Sequence, residues 1–256
     1  MATWLCLHGF TGTPACFREL GSAGALLAPE LLGHGATPAA GWEASFEAEV
    51  ARLARWLSEH SRHAVHLLGY SLGARLGLGL LRAHPERFRS ALLVGANPGL
   101  RTAHERAERL QSDAELRQLL LTRGLEAFVD HWERLPLFAT QSALSHAALA
   151  EQRRARLTHT AAGLGHALAA LGLGNMPDYW PELAKLDLPV TLVVGEQDTK
   201  FRRLGETMLE LLPSARLELA PGAGHNVVLE RPAWLAGLML RAAESAGDGA
   251  SEAEGR

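Results

Sequence analysis

The chain has 256 residues, 47% of them hydrophobic and 21% charged, the proportions of an ordinary soluble globular protein and not of a disordered or membrane chain. Its 25 Lys plus Arg and 28 Asp plus Glu give a formal net charge of -3, and the two signs interleave along the whole length, so no nucleic-acid partner is expected. No apolar stretch is long enough to cross a bilayer, and Met1 leads straight into Thr3-Trp-Leu-Cys-Leu7 without a secretory signal's basic region or cleavage site, so no membrane partner and a cytoplasmic location are expected.

Short apolar runs bounded by Gly, Pro or Asn recur at residues 2–7, 24–28, 64–69, 90–95 and 189–194, the pattern of buried parallel strands. Between the second and third, Phe46, Val50, Leu53 and Leu57 fall at helical spacing with charged residues opposite, as a parallel crossover requires. The two cysteines, Cys6 and Cys16, are too few for a disulfide framework and read as packed thiols. From about Arg101 to Pro177 the strand signal disappears. Thr102-Ala-His-Glu105 and Ser112-Asp-Ala-Glu115 both match the capping box, and the stretches around Phe128 and Leu149 are helical in pattern. Further on, Arg216 and Glu218 alternate with Ala215, Leu217 and Leu219 in a half-exposed strand near a sheet edge, and Trp234, Leu235 and Leu238 line a final helix that opens at Pro232. The expected division is an α/β core over residues 1–100 and 178–245, a helical cap over 101–177 and a flexible Gly/Ser/Glu/Asp tail over 246–256.

The most specific local signal is Gly69-Tyr70-Ser71-Leu72-Gly73, which directly follows one apolar run and directly precedes the helix-like Ala74 to Arg82. A nucleophile elbow needs small residues two before and two after the serine, because the strand-to-helix reversal leaves no room for side chains there. With 26 glycines such a motif can arise by chance, and its place between strand and helix is what lowers that risk. A serine hydroxyl is a weak nucleophile and base at neutral pH, so the reading requires an acid and then a histidine later in the chain. Asp198 follows a strand in Gly195-Glu-Gln-Asp198, and His225 follows the edge strand in Gly222-Ala-Gly-His225. Each would more often be a structural loop residue if taken alone. Three in this order on strand ends, where an open α/β sheet places its site, reverse that balance. His8-Gly9-Phe10 ends the first strand, so the backbone N–H groups of Phe10 and Leu72 are expected to form an oxyanion hole. No phosphate-binding glycine loop occurs, and His63 and His66 fit no zinc spacing and read as surface or core residues. No metal and no cofactor are expected.

With these residues placed, the chain resembles the α/β-hydrolase superfamily and, within it, the 2-succinyl-6-hydroxy-2,4-cyclohexadiene-1-carboxylate synthases of menaquinone biosynthesis. The resemblance rests on Leu7-His-Gly-Phe10, Gly33-His-Gly35, Gly69-Tyr-Ser-Leu-Gly-Ala-Arg75, Asn97-Pro-Gly-Leu100, Arg106-Ala-Glu-Arg109, Gly195-Glu-Gln-Asp-Thr-Lys-Phe201 and Ala223-Gly-His-Asn226. It implies an α/β-hydrolase fold, a mostly parallel sheet flanked by helices with the cap inserted between two strands. It also implies a lyase that removes a ring proton and expels pyruvate from a small polycarboxylate. In that reading His225 activates Ser71 to take the proton, Asp198 orients His225, and the Phe10 and Leu72 amides hold the developing enolate oxygen. Arg75, four residues after Ser71 and so on the same helix face, is placed to reach a substrate carboxylate. Arg109, Arg156, Tyr70 and Trp132 match other substrate-contacting positions of that family. Two departures stand out. The two strands that usually precede the first central strand are expected to be missing or to lie outside this sequence, and Glu30 and Leu32 stand where the family commonly has Asp and Pro, which bears on loop shape.

Two other functions fit the same residues. A carboxylesterase or C–C bond hydrolase would use Ser71 as a covalent nucleophile, since fold and triad do not fix the reaction. A ligand-binding protein could keep the fold without turnover. The arginines favour a polyanionic substrate over a neutral ester, and the intact serine, acid and histidine argue against the binding protein.

Overall fold

The computed structural model describes residues 1–37 and 44–248. Six strands, β1 (Thr3–Leu7), β2 (Ala25–Leu27), β3 (Val65–Tyr70), β4 (Phe88–Val94), β5 (Val190–Gly195) and β6 (Ala215–Ala220), form one sheet in the order β2-β1-β3-β4-β5-β6. Every pairing is parallel, so each connection must cross back over a face of the sheet. Helices α1 (Phe46–His60) and α2 (Leu72–Ala83) make two of those crossings.

Strand periodicity sorts the core into two layers. Leu5, Leu7, Val65, Leu67, Ala91, Leu93, Val190 and Leu192 face α1 and α2, whose Phe46, Val50, Leu53, Leu57, Leu76 and Leu80 complete that layer. Their neighbours Trp4, Cys6, Leu68, Tyr70, Leu92, Val94 and Val193 face the other way, onto Phe17, Leu20 and the last long helix. The short strand over residues 25–27 corrects the expectation of a buried run, because it lies at the sheet edge opposite β6, with Ala25 exposed and its two leucines half-buried. The edge expected at β6 is there.

Between β4 and β5 no described residue is in a strand. Helix α3 (Ala103–Glu133), α4 (His146–Arg156) and α5 (Ala161–Leu171) fill the interval. Thr102 caps α3 in a complete capping box with Glu105. The second expected start at Ser112 is not one. The helix continues through it, with the serine hydroxyl donating to the Glu108 carbonyl at 3.0 Å, and the break falls instead at Gly124, whose φ of 81° leaves the helical region. Leu120, Phe128 and Val129 of α3 pack on Leu164 and Leu168 of α5 in a third apolar cluster that Phe10 joins from the sheet. The two ends of this interval are tied together: the Tyr179 N–H donates to the Pro98 carbonyl at 2.7 Å, the Trp180 indole to Gly99 at 3.0 Å, and Arg106 to both Leu100 and Met176.

After β5 come α6 (Thr199–Leu209), α7 (Val227–Glu230) and α8 (Pro232–Ala243), which buries Leu235 and Leu238 and half-buries Trp234. A single π-helical turn over Glu244–Asp248 follows, so the expected tail is helical at its start, and its remainder lies outside the described residues. Cys6 is buried, and Cys16 is exposed as a residue, though desolvation still pushes its thiol up to about 12. His66 is buried with its Nδ1 2.8 Å from the Ser90 hydroxyl, and His63 is exposed. No described helix is long and apolar enough to cross a membrane.

Candidate active site

Sheet register brings the predicted residues together. Leu7 pairs with Gly69 and Tyr70 with Val94, so β1 and β3 end side by side, and Gly195 pairs with Ala220, so the two loops that follow β5 and β6 are neighbours too. Ser71 sits between β3 and α2 at φ 53°, ψ -106°, a left-handed conformation costly for any residue with a side chain. The Ser71 N–H donates to the Val94 carbonyl at 2.8 Å, and its carbonyl accepts from Arg75 at 3.0 Å. A Cβ at Gly73 would overlap the Leu7 carbonyl, and one at Gly69 would lie 2.6 Å from Ala74 Cα, so the reversal admits glycine alone at both places.

His225 Nε2 lies 3.0 Å from Ser71 Oγ, and its Nδ1 lies 2.8 Å from Asp198 Oδ2. The other Asp198 oxygen accepts the Phe201 N–H at 3.2 Å and caps α6, which leaves Oδ2 for the imidazole. With Nδ1–H committed to Asp198, Nε2 is free to accept the serine proton. The histidine loop is held by the Glu230 carboxylate, which accepts the Gly224 N–H at 2.8 Å. The ring itself packs against Phe201, with centroids 4.3 Å apart.

Gly9, Phe10, Tyr70, Ser71, Leu72 and His225 line a cavity of about 660 Å³. Among the described residues neither the Phe10 N–H nor the Leu72 N–H has a protein acceptor. Arg75, Arg109 and Trp132 also line the cavity. Arg75 is half-buried and donates to the Leu171 carbonyl at 2.8 Å; no carboxylate among the described residues pairs with it. Desolvation, and then the neighbouring Arg109, lower its guanidinium below the ordinary arginine range but leave it charged at neutral pH. Arg109 is half-buried and bridged to Asp113 at 2.8 Å. The Trp132 indole N–H and the Thr140 hydroxyl, both on residues of the cavity wall, are buried with no protein partner among the described residues. Arg156 is different. It is buried and is not among the residues lining the cavity; it bonds Glu133 at 3.0 Å and lies over the ring of the lining residue Phe138, with Tyr70 as an electrostatic neighbour.

Sequence reasoning missed Gln197, Lys200, Thr140 and Phe138 on the cavity wall. Lys200 was available as a signal, since it lies two residues after the acid within a selective motif. Thr140 and Phe138 were not, because they belong to a 3-10 segment, Pro136–Ala143, with no periodicity of its own. Loop shape around Glu30 is secured despite the departures there: its carboxylate accepts the Ala36 N–H at 2.8 Å, while the buried Glu49 accepts the Leu32 N–H at 2.9 Å and binds Arg52.

The fold and this geometry define a class, and comparison with known proteins bears it out: the model of the alpha/beta hydrolase family matches residues 4–238, and the chain belongs to that family. Within it the chain is similar to the 2-succinyl-6-hydroxy-2,4-cyclohexadiene-1-carboxylate synthase of Escherichia coli O1:K1, at 31% identity over 238 residues covering 90% of this chain and 89% of that protein. It is also 38% identical over 233 residues to a Bacillus subtilis (strain 168) protein whose name assigns the same activity provisionally, covering 89% and 85%. Among solved structures, MenH from S. aureus superposes with a TM-score of 0.91 at 26% identity, covering 96% of this chain and 94% of that one. A thermophilic esterase from Thermogutta terrifontis superposes with a TM-score of 0.82 at 19% identity, a likeness of fold alone.

Proposed function

We propose that this chain is a 2-succinyl-6-hydroxy-2,4-cyclohexadiene-1-carboxylate synthase, a lyase of menaquinone biosynthesis. It takes 2-succinyl-5-enolpyruvyl-6-hydroxy-3-cyclohexene-1-carboxylate, removes a ring proton and eliminates pyruvate. The observation that carries the reading is the placing of Arg75, a cation that no described carboxylate bridges, with Asp113 acting on it only at a distance, on the same cavity wall as the hydrogen-bonded Ser71 and His225. A half-buried guanidinium of that kind favours an anionic ligand, because a carboxylate returns the charge-assisted bonds that desolvation removed.

His225 draws the Ser71 proton through Nε2 while Asp198 holds the tautomer and steadies the imidazolium. Ser71 takes the ring proton next to the succinyl carbonyl. The electrons pass into an enolate whose oxygen lies between the Phe10 and Leu72 amides, and the N-terminus of α2 adds its positive end. Collapse of the enolate shifts the ring double bond, forms the second one and breaks the carbon–oxygen bond to the enolpyruvyl group, which leaves as the enolate of pyruvate and is protonated with the proton that imidazolium His225 carries, restoring Ser71 and neutral His225. Arg75 and Arg109 hold substrate carboxylates, and Tyr70 and Trp132 close the walls around the ring. Residues 101–177 serve as the cap that carries Arg109 and Trp132 over the core. Arg156 supports the wall by fixing Glu133 and the face of Phe138.

A serine held 3.0 Å from its histidine is equally able to attack an ester carbonyl, so hydrolysis through an acyl-Ser71 is the second reading. Incubation with the enolpyruvyl substrate, following pyruvate, decides between them: pyruvate release by the native enzyme and none by Ser71→Ala is expected. Hydrolysis of simple esters at higher efficiency than pyruvate release would overturn the synthase reading.

A further inference from the structure

The loop that carries the Phe10 amide contains a second backbone anomaly. Thr11, a β-branched residue, adopts φ 64°, so something outside the loop must hold it there. Two histidines do. The Thr11 N–H donates to His34 Nε2 at 3.1 Å, and the Thr11 carbonyl lies 3.1 Å from His159 Nε2. His159 comes from the turn between α4 and α5, 148 residues away in the chain, and is buried. Its Nδ1 accepts the Gly35 N–H at 3.0 Å, which assigns the proton to Nε2 and makes that nitrogen a donor to Thr11.

From the Thr11 carbonyl the hydrogen bonds run in series toward the cavity. The peptide that carries it has the Gly12 N–H at its other end, and this donates to the Gly9 carbonyl at 2.9 Å. The Gly9 carbonyl belongs in turn to the peptide whose N–H is that of Phe10, and it also receives His8 Nδ1 at 2.9 Å. The line is therefore His159 N–H to Thr11 C=O, Gly12 N–H to Gly9 C=O, then the Phe10 N–H, which has no protein acceptor among the described residues. Peptide groups bonded head to tail polarise one another, and fixing the carbonyl end of a planar peptide fixes the direction of its N–H.

We propose that His159 is a positioning residue for the reaction: from the α4–α5 turn it sets the orientation of the Phe10 amide through the Thr11–Gly12 and Gly9–Phe10 peptides. This rests on the reading of the Phe10 N–H as an oxyanion donor. The donor is competent only while the α4–α5 turn is seated on the loop, so α4–α5 and the strand end act as one unit.

The test compares His159→Phe, which keeps the ring and loses both nitrogens, with His159→Gln, whose amide N–H can still donate to Thr11. Two readouts are taken, steady-state kinetics of pyruvate release and hydrogen exchange of the Thr11 and Gly12 amides. In His159→Phe, kcat is expected to fall roughly 10- to 100-fold, less than the loss of a whole oxyanion donor, with KM within about twofold. Exchange at Thr11 and Gly12 is expected to rise about tenfold or more, and Gln is expected to restore most of both. Unchanged exchange overturns the proposal whatever happens to kcat, since the histidine then holds nothing. Faster exchange with unchanged kcat shows a clamp without catalytic effect; it overturns the positioning role and locates the failure in the oxyanion reading of Phe10. Gln that restores protection but not kcat also overturns it. If Phe does not fold, His159→Asn, which keeps only the acceptor toward Gly35, replaces it against Gln.

Discussion

Replacing Arg75 by Met tests the substrate class most directly. The change keeps most of the apolar stem of the side chain and removes the guanidinium. On the structural side, the Leu171 carbonyl loses its 2.8 Å donor, a cost of about 1–3 kcal/mol if nothing replaces it. Removing a desolvated cation that sits near Arg109, and whose only carboxylate influence is the weaker one of Asp113, offsets part of that cost, so the melting temperature should move by only a few degrees. On the functional side, one charge-assisted bond to a substrate carboxylate is worth about 1.5–3 kcal/mol, which is roughly a ten- to hundredfold loss in kcat/KM. Pyruvate release, coupled to NADH oxidation by lactate dehydrogenase, measures that loss. Nitrophenyl acetate serves as the internal control, since a neutral ester needs only Ser71, His225 and the two amides. Its turnover should change little. Salt should weaken the anionic reaction modestly, mainly through the more exposed Arg109. Equal fractional losses on the polyanion and the neutral ester would refute the reasoning, because they would make Arg75 a support of the elbow helix and not a contact for the substrate.

Asp198→Asn should leave the melting temperature nearly unchanged and lower kcat by about 10⁴, since the amide favours the wrong His225 tautomer; near-native turnover would mean that another group orients the imidazole. Gly73→Ala should abolish activity and destabilise the fold, because the new Cβ meets the Leu7 carbonyl, and a stable, active variant would show that the turn can open. Acid should destabilise the protein through the histidines around the first loop. Burial lowers His8 from 6.5 to about 4, and desolvation also lowers His34 and His159. Between those two values the unfolded chain binds a proton that folded His8 refuses, so this stability is complete above about pH 6.5 and lost as pH falls to about 4. His8 alone accounts for about 3 kcal/mol. A urea midpoint that stays level from pH 7 to about pH 4.5 would contradict the assignment of these rings as neutral.

Much of the molecule was legible in the sequence because its causes are local. Backbone sterics demand glycine at 69 and 73 around Ser71, alternation along each strand sorts side chains to opposite faces, and a Thr102–Glu105 pair can satisfy the helix end it begins. The gathering of serine, acid and histidine, each just past a strand end, then followed from a parallel sheet, whose loops of that kind all open at one edge.

Other features had no local cause. Ser112 carries the same capping pattern as Thr102, yet α3 runs through it, and its hydroxyl bonds back to the Glu108 carbonyl instead of capping. Residues 25–27 look as apolar as any central run, and only strand order puts them at an edge. Arg109 and Arg156 are indistinguishable as charges, but the seating of α3 and α4 over the sheet puts one on the cavity wall and the other against Glu133 and the Phe138 ring. His34, His159 and Thr11 show the limit most clearly. Their contacts span 23 and 148 residues, and a hydrogen bond between groups so far apart in the chain is decided only when the core has packed and brought both backbones within reach.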